Sequence, residues 1–197
     1  MTEEAFILAS SSPRRQEMLR LLGLSFQVVP SSIEEGPLEG EGPEEYVLRL
    51  CRAKAEEVGS HHPDHWVIGA DTVVVLDGVI LGKPRDREEA CDILEMLQGR
   101  SHEVYTGLCV LRMRDGRCST EAVRTEVLFR GLTRREVEWY VSTGEVLDKA
   151  GAYGIQGVGG ALIRRIQGSY SNVVGLPLAE LVDMLRALGA WDLFSTA

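Results

Sequence analysis

A single carboxylate, Asp71, interrupts the apolar run "WVIGADTVVVL" from Trp66 to Leu76. Keeping such a group ionised inside a core is costly unless it is paired or coordinated. It is therefore a metal ligand, a general base, or a structural carboxylate held by backbone N–H groups. Its neighbours Gly69 and Thr72 suit close approach of the backbone to a ligand. Lys54 falls on one helical stripe with Val47, Leu50, Cys51 and Val58, on the side expected to face the core. Either its stem is buried while the ammonium reaches water, or it reaches an anion in a polar pocket. Lys83, in "LGKPRD", closes a hairpin that returns towards the strand carrying Asp71. Glu34 and Glu35 lie in an acidic loop, and one of them could join Asp71 around a divalent cation.

Two further stretches point to an anionic ligand. "LASSSPRRQEML" places Ser10, Arg14 and Arg15 at the start of a helix, where the helix dipole favours acidic side chains and disfavours arginines. The reversal is resolved if the anion at this helix end is a ligand. "AGAYGIQGVGG" is neither a dinucleotide fingerprint nor a Walker loop, but its glycines permit tight approach to a ligand. Gln156 within it carries a donor and an acceptor on one amide, enough to read a base edge, or else it braces the loop. Basic side chains, a carboxylate and a helix N-terminus together suit a metal-assisted reaction on a phosphate ester.

The elements that must position these residues follow from the pattern. "AFILA" and "SFQVVP" read as short strands around a helix with Pro13 in its first turn, capped by Ser12 or a neighbouring serine. A Gly- and Pro-rich acidic loop precedes a long helix from about Pro43 to Val58. The Asp71 strand turns at Asp77–Gly78 into a short return strand. A helix with Ala90, Ile93, Leu94 and Leu97 on one stripe comes next. Strands near His102–Met113 and Cys118–Phe129 are followed by a helix capped by Thr133. The glycine-rich run, a strand at Ala161–Ile166, a helix from Pro177 to about Leu188 and a fraying tail "WDLFSTA" complete the chain. Alternating helices and strands with several hairpins predict a mixed sheet flanked by helices.

The 197 residues fit one domain spanning 1–197, or two lobes sharing a core. A formal charge of −9 disfavours a bulk grip on nucleic acid. No apolar run approaches a membrane span, and the basic start of a signal peptide is missing, so the expectation is a cytoplasmic protein with no membrane partner. Cys51, Cys91, Cys109 and Cys118 form no CxxC pair and read as reduced structural thiols, and the histidines of "SHHPDHW" as a solvated loop.

"LASSSPRRQEML", "GADTVVVLDGVILGKPRD", "GRSHEVYTG", "GEVLDKAGAYGIQG" and "GSYSNVVGLP" give the chain a resemblance, over nearly its whole length, to the Maf family of nucleotide pyrophosphatases. The resemblance implies hydrolysis of a nucleoside triphosphate to the monophosphate and pyrophosphate with a divalent cation, Mg or Mn. It also implies an α/β fold like that of the inosine triphosphatases, with two lobes around a deep cleft, and often a homodimer. Residue by residue, Asp71 matches the family's proton acceptor. Ser10, Arg14, Arg15, Lys54 and Lys83 match its phosphate-contacting positions, and Glu35 the acidic position near the metal. Arg15, Thr72 and Gln156 match positions tied to base choice, and "DKAGAYGIQG" is similar to the branch acting on dTTP and UTP. A rival reading is a nucleotide-binding regulator of cell division with little turnover, which the intact carboxylate and basic positions disfavour.

Overall fold

The run that carries Asp71 is an eleven-residue strand, β3 (Trp66–Leu76), and the rest of the fold is arranged around it. In the computed structural model, which describes residues 6–193, β1 (Phe6–Leu8) pairs in parallel with β2 (Phe26–Val28) and with β3. β4 (Val79–Leu81) returns antiparallel on β3 through the Asp77–Gly78 turn, where both residues have positive φ, 51° and 79°. β5 (Ser101–Arg112), β6 (Arg117–Phe129) and β7 (Ile163–Gln167) complete a seven-stranded mixed sheet in the order β2-β1-β3-β5-β6-β7, with β4 off the path on β3.

Six helices accompany the described strands: α1 (Pro13–Leu21), α2 (Pro43–His61), α3 (Arg87–Leu97), α4 (Arg134–Ser142), α5 (Tyr170–Val174) and α6 (Leu178–Ala187). Their starts are chemically marked. α2 begins with Pro43, and the Glu45 carboxylate accepts the Gly42 N–H at 3.1 Å. Asp86 accepts from the Glu89 N–H at 2.9 Å to start α3. Thr133 and Glu136 form a reciprocal capping box on α4. Ser12 occupies the cap position of α1 without a side-chain capping bond of its own, its N–H donating to the neighbouring Ser10 Oγ at 3.2 Å, and no acidic residue lies in the first turn.

The short helix α5 and two 3-10 turns, Ala150–Ala152 and Gly157–Leu162, are additions to the expected elements, because glycine-rich and five-residue segments carry no readable period. The last four residues of the tail lie outside the described residues. Among the described residues no helix is long and apolar enough to cross a membrane.

The chain divides into two compact units, one of Met1–Asp71, Thr106–Val123 and Gly175–Ala197, the other of Thr72–Tyr105 and Arg124–Val174. In the first, Ile7, Cys51, Ala55, Val67, Cys109 and Leu111 pack one core. In the second, Val74, Leu94, Leu97, Phe129, Val137 and Tyr140 belong to another.

Candidate active site

Two glycines let α2 lie directly on the sheet of the first unit. A methyl group on Gly69 would stand 2.2 Å from the Cys51 carbonyl oxygen, and one on Gly107 would stand 2.2 Å from that of Val47. No side chain tolerates such a contact, so backbone meets backbone at both points. Gly69 thus serves the approach of a helix and not, as its position beside Asp71 suggested, that of a ligand. The consequence is a short reach. Lys54, one turn beyond Cys51, sets its Nζ 2.6 Å from Asp71 Oδ1 and 2.5 Å from Glu35 Oε1.

Both ends of the Lys54–Asp71 pair are buried, at 7% and 6% exposure, while Glu35 comes from an exposed loop. Burial raises the Asp71 carboxyl above the ordinary carboxylate range, and the Lys54 and Arg15 cations pull it partly back. Among the described residues Asp71 Oδ2 makes no hydrogen bond, so one oxygen is pinned and the other is open. A carboxylate in this state is a competent proton acceptor.

Arg15 is buried beside it. Its Nη1 donates to the Ala70 carbonyl at 2.8 Å and to Ser10 Oγ at 3.1 Å, and its Nε donates to the Gly175 carbonyl at 2.9 Å. The guanidinium therefore ties the loop before α1, the residue preceding Asp71, and the start of the segment leading to α6. Burial lowers its pKa, and the Asp71 charge opposes the drop. Ser10 Oγ also accepts the Ser12 N–H at 3.2 Å, and Arg14 is half-buried at the same helix start.

Of the positions singled out in the sequence, the first unit holds Glu35, Lys54 and Asp71 in one ion-paired cluster and Arg15 with Ser10 in a second group, coupled to Asp71 through the charge of Arg15. Thr72, Lys83 and Gln156 belong to the second unit. The register that pairs Val74 with Leu81 runs Lys83 back along β3 towards Thr72. Lys83 is exposed and forms no hydrogen bond or ion pair with a described residue. The same holds for the side-chain amide of half-buried Gln156, so the amide does not brace its loop.

Among the described residues no three His, Cys, Asp or Glu side chains gather to hold a metal by themselves. Glu35 and Asp71 nevertheless converge on one cationic atom, Lys54 Nζ. That donor pair fits a magnesium-type ion, which takes one or two carboxylates and completes its shell with phosphate oxygens and water.

The sequence pattern missed the groups that do brace the second unit: His102, Tyr140 and Tyr153, with Thr125 and Asn172 behind them. His102 Nε2 lies 2.7 Å from the Tyr153 hydroxyl, and Asn172 Nδ2 donates to Val104 O at 3.1 Å and Thr125 Oγ1 at 2.9 Å. The available signal was alternation: in "SHEVYTG" His102 shares the parity of Val104, which places it on the buried face.

Comparison with known proteins places these residues in context. A family model described as Maf-like protein matches residues 5–188. A dTTP/UTP pyrophosphatase of Syntrophus aciditrophicus (strain SB) is 50% identical over 190 residues, covering 96% of this chain and 93% of the relative. One from Geotalea uraniireducens (strain Rf4) is 52% identical over 185 residues, covering 93% and 95%. A solved structure of the Staphylococcus aureus Ham1 protein is similar over 63% of this chain and 71% of its own, at 15% identity and a TM-score of 0.43.

Proposed function

The chain belongs to the Maf-like family, and from that premise we propose that it hydrolyses dTTP and UTP to the monophosphate and pyrophosphate, removing unwanted pyrimidine nucleotides from the pool. The observation that carries the reading is the Lys54–Asp71–Glu35 cluster: a buried carboxylate with one oxygen pinned and one open, beside a converging second carboxylate. The two units serve as parts of one functional domain. Residence in the cytoplasm and pairing into a homodimer belong to the same reading.

In this mechanism a water attacks the α-phosphorus while Asp71 takes its proton at Oδ2. The α–β bridging bond breaks and pyrophosphate leaves. Lys54 holds Asp71 in place through Oδ1 and neutralises the carboxylates when no substrate is present. Arg14, Lys83 and the helix start after Ser10 bind phosphate oxygens, where forked and charge-assisted hydrogen bonds favour the charge of the transferring group. Arg15 keeps Ser10 and the Asp71 strand in register. In the alternative role of Asp71, with its open oxygen a ligand and not a base, Glu35 and Asp71 would hold the divalent cation, Mg or Mn, which when bound supplies charge neutralisation on the phosphates.

Gln156 is assigned to the base. Its amide donates to a carbonyl of uracil or thymine and accepts from the ring N–H, a pairing that the cytosine edge does not match in the same orientation. Thr72 lies on the same unit and supports base choice.

Hydrolysis in ¹⁸O-water tests the reaction, with products separated with and without Mg²⁺ or Mn²⁺. Pyrophosphate with label in the monophosphate is the expected result. Orthophosphate with a nucleoside diphosphate would remove the mechanism and leave phosphate binding alone.

A further inference from the structure

We propose that Tyr153, Tyr140 and His102 are positioning residues for base choice, acting by holding the loop that presents Gln156. The proposal rests on the reading of Gln156 given above and concerns what keeps that amide in place. The residues from Ala150 to Leu162 contain two 3-10 turns and no strand or α-helix, so no regular ladder fixes them.

Four observations show what does. The Tyr153 hydroxyl lies 2.7 Å from His102 Nε2, with the two residues 5% and 2% exposed. The rings of His102, Phe129 and Tyr153 meet edge-on, with centroids 4.7–5.4 Å apart. One residue on, the Gly154 N–H donates to the Tyr140 hydroxyl at 3.1 Å. The loop then folds back on the same point: a methyl on Gly159 would meet Gly154 O at 2.0 Å and the Tyr140 hydroxyl oxygen at 2.6 Å.

Ala152, fully buried, is held at φ +58°, a conformation L-residues rarely keep unless their surroundings impose it. Residues 152, 153 and 154 are thus fixed, and Gln156 follows two positions later with its amide unengaged by any described residue. A reading group needs that combination: a braced backbone and a side chain spared from bracing. Burial keeps both anchors neutral, since it pushes the Tyr153 phenol up and lowers His102 to about 4.

The test compares Tyr153→Phe and Tyr140→Phe, each of which deletes one hydroxyl and keeps the ring, with Gln156→Ala and the double variant Tyr153→Phe/Gln156→Ala. KM and kcat are measured for dTTP, UTP, CTP and GTP. For each phenylalanine variant the ratio of kcat/KM for dTTP over CTP should fall roughly five- to fiftyfold, through KM, with saturating kcat on dTTP within about threefold. The double variant should be no less selective than Gln156→Ala alone, because the phenol acts through the amide.

Equal losses on all four nucleotides, or losses confined to kcat, overturn the proposal. If Gln156→Ala abolishes selectivity while both phenylalanine variants retain it, positioning falls and base reading by Gln156 stands. If Gln156→Ala leaves selectivity unchanged, both fall. The two tyrosines sit on different elements, so the loss of one variant to misfolding leaves the other to decide.

Discussion

The unit that contains β1 and α2 buries Arg15, Lys54 and Asp71, whereas the unit that contains α3 and α4 buries His102, Thr125, Asn172 and the phenols of Tyr140 and Tyr153. The first unit thus holds buried charges and the second buried neutral dipoles. A buried ion pair is a poor stabiliser, because desolvating two charges offsets most of their attraction. The Lys54–Asp71 pair is better understood as a charge cluster kept for chemistry. The neutral frame carries no comparable desolvation cost, and its hydrogen bonds fix geometry. On the proposed reading, the two kinds of polar burial serve two tasks, reaction and selection.

Removing the charge at the centre of the first unit should break the comparison most sharply. Asp71→Asn keeps size and polarity but abolishes proton acceptance, and kcat should fall about a hundred- to ten-thousandfold. Nucleotide binding, followed by calorimetry, should survive because the basic positions are untouched. Turnover near that of the parent chain would end the distinction between a reactive unit and a selective one.

The neutral side is tested by pH. His102 titrates at about 4 in the folded chain because burial opposes its charged form, against 6.5 when exposed. Between those values the unfolded chain binds a proton that the folded chain does not, so stability is full above 6.5 and declines as pH falls towards about 4. The gap is worth about 3 kcal/mol. Urea unfolding at pH 7.5 and pH 4.5 should show that loss in the parent chain and a clearly smaller one in His102→Gln. Equal losses in the two proteins would mean that His102 is not held neutral.

Arg15 sharpens the comparison from within the charged unit, because its donors meet Ser10 and two backbone carbonyls. Arg15→Lys keeps the charge and loses the planar fork. If Arg15 aligns the Asp71 strand, kcat should fall roughly ten- to a hundredfold with KM little changed. A rise in KM with kcat preserved would return Arg15 to the phosphate-contacting role that the family resemblance implies.

Much of this was legible in the sequence, and the residues show why. Asp71 stood out because a carboxylate in an apolar strand breaks the pattern, and Lys54 because helical spacing put a cation on the core side. The capped helices α3 and α4 and the Asp77–Gly78 hairpin follow from local chemistry, which acts within a few residues. What stayed hidden is long-range. Arg15 meets Gly175 across 160 positions and His102 meets Tyr153 across 51, and no local period encodes either partner. The close contacts at Gly69 and Gly107 are equally invisible, since a glycine alone does not say what approaches it.

The smallest effect tests whether the neutral frame is rigid. α4 carries Tyr140, and its start is fixed by Thr133, whose Oγ1 accepts the Glu136 N–H at 3.3 Å while the Glu136 carboxylate takes the Thr133 N–H at 2.7 Å. Thr133→Ala removes the threonine half of this box and should cost about 1 kcal/mol of stability, read by urea unfolding. The cap lies two turns from Tyr140, and Val137, Tyr140 and Val141 remain buried on the same helix. If packing of that face holds the phenol, the loss stays at the helix end, and preference for dTTP over CTP should be unchanged within about twofold. A variant that loses selectivity along with stability would show that the frame is only as firm as its helix terminus. The contrast between a unit arranged for charge and a unit arranged for position would then weaken, because a positioning frame must not yield when a distant cap is removed.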